Sequence, residues 1–86
     1  MKEEKLFSVA EYYDGHLEEF QNFKTSKQGY EITLEYIEIM ESALQEAGRS
    51  VDVEEELLPN GDFLIKLTSE EGIYEFEGFN NNNLTH

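Results

Sequence analysis

The sequence predicts an α+β domain: two helices packed on a three-stranded antiparallel meander, in the order ααβββ. Three observations carry this. Apolar residues recur at helical spacing as far as Ala47, the period drops to two after Gly48, and Asn-Gly within "PNGD" (59–62) marks a hairpin between two alternating runs. The expected organisation is a flexible N-terminal segment (1–7), one domain (8–79) and a flexible tail (80–86).

Residues 8–24 read as the first helix. Ser8-Val-Ala-Glu11 fits a capping box, and Phe7 with Tyr12 fits the hydrophobic staple around it. Val9, Tyr13, His16 and Phe20 then share one face, which puts His16 in or beside the core. Gly15 becomes an unfavourable residue on the polar side, costing about 1 kcal/mol against alanine. "KTSKQG" (24–29) is a linker whose Thr25-Ser-Lys-Gln28 can cap the next helix.

The second helix spans 30–47. Tyr36, Met40, Ala43, Leu44 and Ala47 centre its apolar face, and Ile32, Ile37 and Ile39 widen it. A face so broad implies two neighbours, the first helix and the sheet. Gly48 supplies the C′ stop, with Arg49 near the negative end of the helix dipole.

The strands are 51–58, 63–69 and 73–79. Alternation turns Val51, Val53, Leu57, Phe63, Ile65, Leu67, Tyr74 and Phe76 toward the helices. It turns Asp52, Glu54, Glu56, Lys66, Glu75 and Glu77 outward, with Lys66 on the middle strand between two acidic ones. Glu55 falls on the inward side, so a bulge or a sheet edge is expected there.

Charge is the strongest functional signal. Twenty acids against six bases give a net charge of −14 on 86 residues. Such a chain repels nucleic acid and anionic membrane surfaces and attracts cationic grooves. Apolar residues make up 38% and fall in periodic patterns, which argues against disorder. There is no cysteine, so neither a disulfide nor a thiolate site is available. No apolar run approaches the ~20 residues of a membrane span. The first residues lack a signal peptide's apolar stretch. A cytoplasmic location is expected, the host's cytoplasm if the gene is phage-borne.

Carboxylates form rows. Glu31, Glu35 and Glu38 recur along the second helix, Glu11, Asp14 and Glu18 along the first, and Glu54, Glu56, Glu75 and Glu77 on the sheet. A helical turn separates neighbours by roughly 5–6 Å. Phosphates of a duplex strand advance about 3.4 Å per nucleotide along the axis, so the linear charge densities are comparable. A row of glutamates is also what any solvated helix face carries, since glutamate favours helix. Tyr30, at the rim of the second helix, is either a partner contact or a cover for the core. The longest uninterrupted row, on the second helix, is expected to lead, with the sheet face second.

Nothing points to catalysis, a metal or a cofactor. His16 and His86 lie far apart, and "PNGDFLIKLTSEE" lacks the spacing of a calcium-binding loop. No phosphate loop or nucleophile elbow occurs.

In length, charge and carboxylate rows the chain resembles a functional class. Its members are small acidic proteins of phages and mobile elements: anti-CRISPR proteins, antirestriction proteins and inhibitors of uracil-DNA glycosylase. No signature motif aligns, and these proteins share no single fold, so no residue role carries over. The resemblance implies a non-enzymatic inhibitor that occludes the nucleic-acid site of a basic partner, such as a CRISPR effector or another DNA-handling enzyme. The alternative is an acidic adaptor or antitoxin-like protein. It would bind one partner through shape and apolar contacts, with Leu58 and Leu64 as an outward patch.

Overall fold

The computed structural model describes residues 7–80. It contains one helix and five strands: β1 (Phe7–Tyr13), β2 (His16–Phe23), α1 (Ser26–Glu46), β3 (Val51–Leu57), β4 (Phe63–Ser69) and β5 (Gly72–Asn80). The strands form one antiparallel sheet in the order β2-β1-β5-β4-β3, and α1 lies across one face. The domain is α+β, but the predicted pair of helices on three strands does not form. Residues 8–24 are a β-hairpin.

The turn Asp14-Gly15 makes the difference. Both residues have positive φ, 50° and 88°, as a two-residue type I′ hairpin turn requires. Tyr13 and His16 pair on either side of it. The turn is tied to β5, because the Asp14 amide donates to the Ile73 carbonyl (2.8 Å) and the Ile73 amide donates to Asp14 Oδ1 (2.9 Å). Gly15 is therefore no helix defect. The expected capping box and staple also dissolve. Ser8 is a fully buried strand residue whose hydroxyl donates to Asn22 of β2, and Phe7 is a core residue. His16 is exposed on the edge strand instead of lying in the core.

The helix matches expectation more closely. It begins four residues earlier than predicted, behind the cap at Thr25, whose Oγ1 accepts from the Gln28 amide (3.1 Å). The Gln28 side chain accepts in return from the Lys24 amide (3.3 Å). Gly48, at φ 81°, terminates the helix, and the Arg49 amide donates back to the Leu44 carbonyl (2.9 Å). Thr25→Ala is expected to destabilise by about 1 kcal/mol. That corresponds to a Tm lower by roughly 4–8 °C, readable by circular dichroism.

β3, β4 and β5 form the predicted meander. Leu57 and Phe63 pair across the Leu58–Asp62 loop, and Ser69 pairs with Gly72 across the next turn. The loop is fastened from β5, since the Asn80 amide and side chain both donate to Asp62 Oδ1 (3.2 and 3.0 Å). Phe7 and Asn80, assigned by sequence to the end segments, pair with each other in the sheet. Residues 1–6 and 81–86 lie outside the described residues.

The core sits between α1 and the sheet: Phe7, Val9, Phe23, Ile37, Phe63, Ile65, Leu67 and Phe76. Gly29, Thr33 and Ile37 are the buried helix positions, one turn apart along the face that meets the strands. Because no second helix occurs among the described residues, the wide apolar face of α1 is only partly covered. Ile32, Tyr36 and Ile39 stay 44%, 43% and 68% exposed.

Candidate functional site

Two surfaces carry the acidic rows, one on the sheet and one on the helix. The first is the sheet face away from α1. Glu54 of β3, Lys66 of β4 and Glu75 of β5 stand in one cross-strand row, as the alternation predicts. The next row holds Glu56, Leu64 and Glu77. Asp52 extends β3 on the same side. Neighbours two apart on a strand are about 6.8 Å distant, and strands are about 4.8 Å apart. The result, among the described residues, is a lattice of carboxylates around one lysine, Lys66.

The lattice continues into apolar surface. β1 and β2 place Tyr12, Leu17 and Phe20 on this same face. Leu17 and Phe20 are 57% and 50% exposed, and the Phe20 ring meets Phe79 of β5 edge to face, centroids 6.1 Å apart. Leu64 adds an exposed apolar residue among the acids, as expected. Leu58, also expected on the sheet, lies instead in the β3–β4 loop.

The second surface is the outer ridge of α1. Glu31, Glu35 and Glu38 are exposed along it, on the side away from the sheet. This ridge and the sheet lattice point in opposite directions, so they cannot meet the same wall of a groove.

The third row predicted by sequence does not exist, because its supposed helix is a hairpin. Asp14 is a turn residue. Glu18 is the extra residue of a β-bulge in β2, where the register moves from Glu11↔Glu19 to Tyr12↔Leu17. Glu11 projects from β1 toward α1, where the Tyr36 hydroxyl stands 3.5 Å from its Oε2. Partial burial raises the Glu11 pKa above the usual carboxylate value, and the neighbouring Glu19 charge adds to the effect. Glu19 had no sequence signal of its own. Reading Asp14-Gly15 as a hairpin turn would have placed it opposite Glu11.

Glu11 and Glu19 flank a groove of about 170 Å³ between α1 and the β1–β2 hairpin, lined also by Val9, Phe23, Ile32, Tyr36 and Phe76. Two carboxylates of unequal environment are the raw material of acid–base catalysis. This cavity falls below the roughly 300 Å³ at which pockets enclose a small-molecule substrate. Among the described residues no three carboxylate or imidazole groups converge as metal ligands.

A raised carboxyl pKa means the folded state favours the protonated form. Its contribution to stability is present at low pH and is lost as pH rises through the folded-state value. Glu11→Gln is therefore expected to raise Tm at neutral pH and to leave it unchanged below about pH 4. Solvent screening holds the gain to a few tenths of a kcal/mol, or roughly 1–3 °C. Paired thermal melts at pH 4 and pH 7 test this, and a Tm that falls at pH 7 would contradict the assignment.

Tyr30 covers the core. Its ring packs edge to face on Phe63, centroids 5.3 Å apart, and its hydroxyl donates to Glu55. That bond raises the Tyr30 pKa. It also accounts for Glu55 on the inward side of β3, which is a sheet edge, as one of the two sequence alternatives required. Elsewhere Arg49 pairs with Glu71 at 2.7 Å. Among the described residues no helix is long and apolar enough to cross a membrane.

The fold and its surfaces thus define a one-helix, five-stranded antiparallel domain with an acidic open sheet face. No protein-family model, curated protein or solved structure matches the chain.

Proposed function

We propose that this protein is a non-enzymatic binder that offers its carboxylates to the cationic, nucleic-acid-binding groove of a partner protein and thereby occludes it. The observation that carries this reading is the sheet face away from α1, where Asp52, Glu54, Glu56, Glu75 and Glu77 stand around Lys66. A sheet fixes such groups at regular intervals without the freedom of a loop, so the field they present is organised in two dimensions. Electrostatic complementarity of this kind speeds association and selects partners by charge.

The sheet face leads in this reading, ahead of the α1 ridge that the sequence favoured. Glu31, Glu35 and Glu38 stand on a solvated helix flank whose adjoining apolar surface is the aliphatic Ile39, beside Glu35 and Glu38, with no aromatic ring among them. The sheet lattice adjoins Leu17, Phe20 and Leu64, and a stable interface needs apolar contacts at its centre as well as charge.

The test is capture of partners from a cell lysate, elution with a salt gradient, and competition with duplex DNA or RNA. The expected partners are nucleic-acid-binding proteins that release at raised salt and whose nucleic acid competes. Glu31→Lys, Glu35→Lys and Glu38→Lys together should weaken capture less than changes on the sheet. Partners retained in molar sodium chloride, or indifferent to nucleic acid, would instead support the adaptor reading, which the exposed Leu17 and Phe20 favour.

A further inference from the structure

We propose that the free edge of β2 and the groove beneath the flank of α1 form a docking site for an extended partner segment. That segment carries a basic and an apolar residue two positions apart on one face. The site is separate from the open-face lattice and goes beyond the function proposed above.

Three features meet there. β2 ends the sheet, and among the described residues no strand pairs with its outer side. A row of unpaired backbone donors and acceptors is a template for strand addition. Beside it lies the 170 Å³ groove, whose helix wall is Ile32 and Tyr36, both nearly half exposed. At its mouth stand Glu11 and Glu19, opposite each other in the register.

The spacing specifies the occupant. Along β2, the side chains on the α1 side include Glu19 and then Gln21, which pair with Glu11 and Val9. An added strand presents its own side chains to that side at the same interval of about 6.8 Å. The one beside Glu19 faces two carboxylates, so a lysine or arginine is complementary. The one beside Gln21 faces Phe23 and Ile32, so an aliphatic residue is complementary. On the opposite side, Phe20 offers a further apolar contact.

A second copy of this chain fits poorly. Its own β2, "HLEEFQNF", brings Glu18 and Glu19 and no lysine or arginine, on a chain of net charge −14. The other free edge, β3, serves as an internal comparison. It sets Glu55 on its α1 side, where the Tyr30 hydroxyl already occupies that carboxylate.

The probe is a displayed library of random decapeptides, selected on the intact protein. Enriched peptides are expected to carry Lys or Arg two positions from Val, Ile or Leu. They should lose about tenfold or more in affinity, roughly 1.4 kcal/mol, against Ile32→Ser and, separately, Glu19→Lys. Both positions are exposed, so folding should survive, and circular dichroism checks it. Hydrogen exchange should slow across 16–23 and not across 51–57. Peptides that bind both variants as tightly as the parent would overturn the proposal. So would protection that appears on β3, or no enrichment at all.

Discussion

Phe63→Ala is expected to remove about 3–5 kcal/mol of stability. An 86-residue domain has little more than that in total, so the variant should be largely unfolded at 37 °C. Phe63 is 1% exposed and lies where three elements meet. It packs on Phe7 of β1, centroids 5.8 Å apart, beneath Tyr30 of α1, and over Gly78 of β5. A Cβ on Gly78 would come within 2.3 Å of the ring, so the glycine exists to seat the phenylalanine.

That contact makes the prediction sharper. Gly78→Ala in the parent should destabilise severely, because the ring has no free direction to move in a close-packed core. In the Phe63→Ala background the same change should be nearly neutral, since the ring it collides with is gone. Urea unfolding of the four proteins at low temperature, with a stabilising osmolyte present to keep the weakest of them folded, measures the coupling. If the two losses simply added, the packing described for this corner would be wrong.

The second large effect concerns binding. Changing Glu54, Glu56, Glu75 and Glu77 together to glutamine should weaken a nucleic-acid-competed partner by about 10²-fold or more. That corresponds to roughly 0.7 kcal/mol for each charge, within the range for interfacial charges. Stability should move the other way. These side chains are exposed and repel one another around Lys66, so neutralising them relieves strain in the folded state. Lower affinity together with an unchanged or higher Tm is the signature expected of a surface shaped for a partner. Unaltered affinity would mean that the lattice serves solubility alone.

The same residues show what could be read from sequence. Thr25, Gly48 and Asn60-Gly61 act within a few residues of themselves, so the caps of α1 and the β3–β4 hairpin are legible, although residues 26–29, its first turn, read as linker. The inward positions of β4 are legible too, because strict alternation over Phe63, Ile65 and Leu67 has no helical counterpart. Residues 7–23 were ambiguous. Val9, Tyr13, His16 and Phe20 fit a helical face, yet Phe7, Val9 and Phe23 are the residues that reach the core. Asp14-Gly15 is the local signal that decides for a hairpin, and it competes with the capping-box pattern of Ser8-Val-Ala-Glu11.

The sequence by itself determined the net charge, the helix with its caps, the β3-β4-β5 meander and the outward rows flanking Lys66. These follow from local turn chemistry and from the two-residue period of a strand. The tertiary structure decided the rest. Pairing of β1 with β5 closes the sheet across some seventy residues of chain, and no local pattern encodes a partner so distant. That pairing built the β1–β2 hairpin, begun by the Asp14-Gly15 turn, into the sheet. It carried Glu11 under α1 opposite Glu19, left Ile32 and Tyr36 uncovered, and set the acidic sheet face and the acidic helix ridge back to back.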